Sequence, residues 1–504
     1  MPMQAEYPPP LRRALIITAC SLCTVLTLLP TSILNVALPS MQAELGATTD
    51  EISWSLTSYL VAGAVILPLS GFLTDRLGAR RLMLACVIAF AAISLLAGIT
   101  THLELFVLLR FLQGLVGAPL QPLAQLVILE TTPPEERPAA LATWSMSTTV
   151  VPILGPTIGA WFTEHLSWHW CFYISLPIAA LTLLVAVPSV PRFAPRPRTI
   201  DWPGFLCLAA AIAALQFTLD RGNRVDWFES PTIRATATIV ALGFAGFLLS
   251  NRYGTGKPIF SLRLFRDRNF MAGSLISLAG FVGLFGAMVL QPLLMVSLLN
   301  YPVMTAGNVM MARGLASAVA MAVATWMARR MAVGTVMLVG AVFSAAGLIM
   351  LTRLSLETSL SMLALATVIH GFGIGLIMMP ASTVVFMTLV PQDRPDASGL
   401  ISLLRLLGQS MGISLSVMLL TRMSQTNWNQ LGGHIQAVNP ALNAYAAPLG
   451  WAGDDPRTVA LAGFEVWRQA SMVAMVDVFV FLLAFLLVTL PMVLVLRRTR
   501  LMAA

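Results

Sequence analysis

Long apolar runs of about 20 residues recur along this chain from residue 14 to residue 496, with short polar segments between them. A helix of that length crosses the roughly 30 Å hydrocarbon core of a bilayer. Inside lipid the backbone must satisfy its own hydrogen bonds, which leaves helices or closed barrels. The runs here are unbroken rather than alternating, so they predict helices. Fourteen are expected, the first near 14–38, the fifth near 139–162 and the last near 471–496. Charged residues make up only 10% of the chain, against roughly 25% in a soluble domain. So few charges suit a surface that faces lipid.

The formal net charge of +8 does not point to nucleic acid, because the basic residues sit in short clusters between the apolar runs. With both termini in the cytoplasm, 20 of them fall on the cytoplasmic side and seven on the other. That bias is the positive-inside pattern of a multispan protein of a cell inner membrane. Arg12 and Arg13 precede a run too long for a cleavable signal, so the first span is expected to be retained. All five cysteines lie in apolar segments, and Cys20 and Cys23 read as packing residues rather than a redox pair.

An internal repeat is visible. Pro134-Glu135-Glu136-Arg137-Pro138 recurs as Pro391-Gln392-Asp393-Arg394-Pro395, and Gln113-Gly114 aligns with His370-Gly371 at the same offset. Two parallel halves explain both matches. The expected division is an N-terminal six-helix bundle over 1–190, a linker with two extra spans over 191–268, and a C-terminal six-helix bundle over 269–504. The last carries a hydrophilic outer loop at 422–470, which has room for local structure or a partner.

Several motifs carry chemistry. Between the second and third runs lies Gly71-Phe72-Leu73-Thr74-Asp75-Arg76-Leu77-Gly78-Ala79-Arg80-Arg81. Gly71 and Gly78 permit a tight turn and close helix approach. Asp75, Arg76, Arg80 and Arg81 form a charge cluster able to clamp the two halves together. The matching stretch of the second half, Ala328 to Gly334, has lost the acid, so the clamp is asymmetric. Arg110, Gln113 and Gly114 sit in the fourth run, where a charge usually faces a partner or a wet cavity. Gly155, Pro156 and Gly159 combine a smooth helix face with a bend-permitting proline. Gly408-Gln409-Ser410-Met411-Gly412 fits a nucleophile-elbow pattern, but it lies within a span and reads as helix packing. No phosphate-binding loop of the G-x-x-x-x-G-K-[ST] type occurs, so ATP-driven transport by this chain alone is not expected. With no catalytic constellation in view, neither an enzyme nor a cofactor or metal site is expected.

These segments match the G-x-L-x-D-R-x-G-x-R-R, R-x-x-Q-G and G-P-x-x-G elements of the major facilitator superfamily. Leu219-Asp220-Arg221-Gly222, Asp226-Trp227-Phe228-Glu229-Ser230 and Leu264-Phe265-Arg266-Asp267-Arg268-Asn269-Phe270 resemble its 14-span drug:proton antiporter branch, the EmrB/QacA type. The resemblance covers nearly the whole chain. It implies an all-α membrane protein of the major facilitator fold, two six-helix bundles plus two extra central helices, about 14 transmembrane helices in all. It also implies export of small amphipathic molecules by proton antiport, and, in branch members from double-membrane bacteria, a periplasmic adaptor and an outer-membrane channel as partners. One departure stands out: Pro30 occupies the place where the branch carries a first-span aspartate.

No carboxylate falls clearly at mid-membrane, whereas Arg110, Arg313, Arg405 and His370 do. Neutral or anionic substrates are therefore expected in a cavity lined by spans 1, 4, 5, 10 and 13. Asn35, Gln113, Gln121 and Gln125 are candidates for uncharged hydrogen bonds, and His370 for a titrating group. Uptake, another coupling ion, or a non-transporting receptor or assembly role stay open on the residues alone.

Overall fold

The computed structural model describes residues 7–195, 199–253, 262–433 and 455–496, with single positions at 440, 444 and 448. No strand occurs among the described residues. Thirteen of their helical runs are long and apolar enough to cross a membrane, and the chain is a multi-pass membrane protein.

The first group of helices comprises α1 (Pro10–Glu44), α2 (Thr49–Ile66), α3 (Ser70–Leu77), α4 (Ala79–Ile99), α5 (Leu103–Gly117), α6 (Leu120–Thr131), α7 (Arg137–His165), α8 (Trp170–Tyr173) and α9 (Ser175–Ser189). Next come α10 (Trp202–Arg221) and α11 (Pro231–Tyr253), which pack on each other. The second group comprises α12 (Arg268–Leu293), α13 (Val303–Ala328), α14 (Val333–Leu351), α15 (Leu360–Met387), α16 (Arg394–Gly432), α17 (Pro456–Thr489) and α18 (Pro491–Val495). Prolines account for two of the interruptions. Pro68 sits in a short 3-10 turn between α2 and α3, and Pro119 separates α5 from α6, because proline cannot donate to the helical ladder.

The expected fifth span is α7, 29 residues long and not among the thirteen. It carries Thr143, Ser145, Ser147, Thr148, Thr157 and Thr163. Neighbours replace lipid around it, since α7 packs against α1, α13 and α15. The outer loop expected at 422–470 is much shorter: α16 continues to Gly432 and α17 begins at Pro456. Trp428 and Trp467 therefore lie on helices. Two causes act locally: α16 and α17 pack side by side, and the Asp455 carboxylate caps α17 by accepting from the Arg457 N–H at 2.8 Å.

Helix association in lipid gains little from apolar burial and relies on small residues and interhelical hydrogen bonds. The α1–α7 contact uses both. Trp144 Nε1 donates to Thr24 Oγ1 at 2.8 Å, and Ser32 Oγ donates to the Pro152 carbonyl at 2.7 Å. Gly155 lies against Ser32, and a Cβ added at Gly159 would stand 2.9 Å from the Ile33 carbonyl oxygen. Gly159→Leu should therefore cost about 1–3 kcal/mol through overpacking. The check is thermal unfolding in detergent, followed by a thiol-reactive dye reaching buried Cys20 and Cys23. An unchanged midpoint would show that this contact does not need its small residue.

Candidate functional site

Two faces of the bundle are distinguished by charge. The end that holds both P-x-acid-R-P segments, where Arg13 pairs with Glu136 and Arg394 with Glu130, is the one to which the sequence pattern assigns most arginines, and the opposite end is the arginine-poor one. Between them, where the first and second helix groups meet, lies a cavity of about 90 Å³. The first group contributes Thr27, Thr31, Tyr59, Gln121 and Thr148, and the second Phe281, Phe285, Ser402, Arg405 and Gln409. No carboxylate lines it among the described residues.

Arg405 is the charge of this cavity, only 7% exposed. Its Nη2 donates to Ser382 Oγ at 3.0 Å. Its guanidinium carbon stands 5.9 Å from the Phe281 ring centroid and 6.0 Å from that of Trp144. Its Nε has no hydrogen-bond partner among the described residues. A guanidinium held by aromatic faces and one hydroxyl keeps donor capacity for an acceptor, and a carboxylate matches its fork best.

Gln121 joins it because the break at Pro119 starts α6 just before that residue. Gln125, one turn on, is fully buried and its amide has no partner among the described residues. Arg110 lies behind the cavity wall. Its Nε donates to the Ser55 carbonyl at 3.1 Å and its Nη1 to Gln113 Oε1 at 2.7 Å. Gln113 Nε2 donates in turn to Ser94 Oγ at 2.7 Å. The Arg110 guanidinium carbon stands 4.4 Å from the Tyr59 ring centroid, and Tyr59 lines the cavity. Arg110 thus reaches the cavity through Tyr59.

In the second group, Arg313 donates to Gln291 Oε1 at 3.2 Å and to the Leu284 carbonyl at 3.1 Å. His370 is fully buried, and neither of its ring nitrogens has a partner among the described residues. Neither Arg313 nor His370 lines the cavity. Asn35 lies on α1 and Pro156 on α7, and their side chains lie outside the described residues.

Polar contacts bridge the two groups beyond both ends of the cavity. At the arginine-rich end, Arg394 Nη1 pairs with Glu130 Oε1 at 3.1 Å, joining α16 to α6. A Cβ at Gly71 would stand 2.6 Å from Asp396 Oδ1, so that glycine lets α3 lie against the start of α16. Gly78, at φ +82° between α3 and α4, permits the turn. Arg76 lies over the Phe72 ring, Arg80 donates to the Val187 carbonyl, and Arg81 is exposed. Asp75 sits one turn after Gly71 on α3. At the arginine-poor end α10 is wedged between α2 and α16. Thr57 donates to the Asp220 carboxylate, Arg221 covers the Trp54 ring at 4.3 Å, and Gln216 Nε2 donates to Ser410 Oγ at 2.7 Å. Asn223 Nδ2 donates to the Ser414 carbonyl at 3.0 Å.

The sequence reading did not single out Tyr59, Phe281, Phe285, Ser402 or Gln409. Gln409 was reachable, since it lies four residues after Arg405 on the same helix face. The aromatic residues carry no such mark.

Comparison with known proteins yields consistent matches. Residues 20–413 fit the family model described as Major Facilitator Superfamily. The Multidrug export protein EmrB of Escherichia coli is 31% identical over 452 residues, covering 89% of this chain and 88% of that protein. The Fatty acid resistance protein FarB of Neisseria gonorrhoeae is 29% identical over 493 residues, 97% of each chain. Among solved structures, the human organic anion transporter MFSD10 (TETRAN) superposes with a TM-score of 0.59 at 16% identity, over 95% of this chain and 100% of that one. The proton:xylose symporter XylE gives a TM-score of 0.59 at 14% identity, over 94% of each. These two likenesses show the fold.

The Glu130–Arg394 pair is partly exposed, with side chains 31% and 11% accessible, and such pairs contribute up to about 1 kcal/mol. Glu130→Arg should open the arginine-rich end, so that a cysteine placed at Gln409 reacts about fivefold faster with a charged thiol reagent from that face. Adding Arg394→Glu should restore the slow rate. Equal rates in all three proteins would remove the pair from the closure.

Proposed function

The chain belongs to the Major Facilitator Superfamily, and from that membership we propose that it exports small amphipathic molecules, carboxylated or uncharged, by alternating access to the cavity around Arg405. Membership makes it a membrane transporter rather than an enzyme. Two relatives support the export direction by their names, one a multidrug export protein and one a fatty acid resistance protein. The second name fits a carboxylate with an apolar body.

One observation carries the reading. Arg405 presents unfilled donor capacity to a cavity that both helix groups line, beside Phe281 and Phe285. An anionic head would pair with the guanidinium, and an apolar body would rest on the rings. The groups would rock against each other, breaking the Glu130–Arg394 contacts in one phase and the α10 contacts in the other. The N-terminal and C-terminal six-helix bundles, 1–190 and 269–504, would be the rocking bodies, with 191–268 carried between them. The arginine-rich face, with both termini, would lie in the cytoplasm of a cell whose inner membrane holds the protein. A periplasmic adaptor and an outer-membrane channel would receive the substrate. Proton influx would drive the cycle.

Transport of dodecanoic acid and of dodecanol into inverted vesicles tests this. Arg405→Ala should weaken dodecanoate transport about 30-fold or more, the loss expected when one partner of a buried charge pair is removed at ~2 kcal/mol. Dodecanol transport should change little, and Arg405→Lys should retain part of the dodecanoate activity. Equal loss for acid and alcohol would sink the carboxylate assignment. Collapsing the pH gradient should stop transport in the native protein. If collapsing the pH gradient has no effect, the coupling ion is a different one, the alternative that Pro30 raises.

A further inference from the structure

A second and larger cleft, about 780 Å³, opens within the second helix group near the arginine-poor face. It lies between the end of α12, the distal part of α16 and the first half of α17. From its position and lining we infer that it is a binding site for an uncharged single-chain amphipath, separate from the cavity around Arg405.

Three features build the site. First, the end of α12 is splayed. Pro292 interrupts the hydrogen-bond ladder, and Leu294–Leu298 form a π-turn, with the Leu299 N–H donating to the Leu294 carbonyl at 3.1 Å. Such single π-turns widen a helix locally and are frequent at functional sites. This one turns Ser297 and Leu298 toward the cleft. Second, α16 has 39 residues, about 58 Å at 1.5 Å per residue, far more than the roughly 30 Å of hydrocarbon. The cleft sits where the helix emerges. Trp428 and Trp467 line it, 45% and 43% exposed, and tryptophan favours the depth at which apolar and aqueous phases meet. Third, no charged residue lines the cleft among the described residues, while Gln425 and Ser471 supply hydrogen-bonding groups beside the indoles. The volume lies within the range of small-molecule sites, roughly 300–1,000 Å³. An alkyl or aromatic body against the indoles with a hydroxyl or amide head at Gln425 satisfies every wall. A carboxylate or ammonium head finds no countercharge among the described lining residues.

The inference does not depend on the central cavity and has its own test. The full-length protein in phosphatidylcholine vesicles is irradiated with a diazirine-bearing dodecanol, and the labelled peptides are mapped. Labelling should concentrate in 420–429 and 467–475, saturate, and be displaced by unlabelled dodecanol. Ser424→Trp, which fills the cleft from a half-buried lining position, should lower it about tenfold with the unfolding midpoint retained. Should that variant fail to fold, Gln425→Leu and competition on the native protein carry the same test. Arg405→Ala should leave the labelling intact, which separates failure here from failure of the transport reading. Non-saturable labelling spread over lipid-facing α11 would overturn the site. So would labelling of these peptides by a photoreactive phosphatidylcholine alone, which would mark a crevice for bilayer lipid.

Discussion

Hydrocarbon offers no hydrogen-bond partner, so a polar group carried to membrane depth is stabilised by a partner inside the protein or by a wet cavity, and the buried His370 ring and Gln125 amide, with no partner among the described residues, are exceptions. The arrangement of the helices follows from that constraint. Arg110 is accommodated by a backbone carbonyl, a glutamine and a tyrosine face, and Arg313 by a glutamine and a backbone carbonyl. Arg405 is accommodated less completely, by one serine hydroxyl and two aromatic rings. Each of the three keeps one guanidinium nitrogen without a partner among the described residues, and Arg405, which makes the fewest hydrogen bonds, is the one placed where the two helix groups meet. A charge retained at such a seam, with a donor to spare, is what a transient anionic ligand requires.

Polar contacts cross the seam at both ends, alongside apolar packing, and that bears on motion. Near the arginine-rich end the partly exposed Glu130–Arg394 pair and a glycine contact join α3 and α6 to α16, beside a buried apolar cluster that holds Phe72 and Ile128 of the first group with Phe386 and Leu400 of the second. Near the other end the contacts are hydrogen bonds routed through α10. Interactions of this kind contribute little individually and exchange readily with water. The extra helix α10 thus stands at the boundary between the groups, touching α2 on one side and α16 on the other.

Legibility varied with the kind of signal. The helices were visible as apolar runs, because lipid exposure demands an uninterrupted apolar surface. The span hardest to recognise by composition is α7, whose serines and threonines are sheltered by α1, α13 and α15. The ends of α16 and α17 were misplaced for the converse reason: outside the bilayer a helix may be polar, and helix–helix packing sustains it. Within the cavity, Arg405 and Gln121 were recognisable as polar residues inside apolar runs. Tyr59, Phe281 and Phe285 were not, since an aromatic residue in a membrane helix looks alike whether it faces lipid, a neighbour or a cavity.

The sequence by itself determined that the chain crosses the membrane many times as helices, and which charges are buried with them, because hydropathy is a property of composition along a run. Which buried arginine meets the seam was decided only by tertiary structure. Arg110, Arg313 and Arg405 are equivalent as isolated charges in apolar runs. They are separated by the rotation of each helix and the neighbour it meets, long-range packing facts that no local window of residues carries.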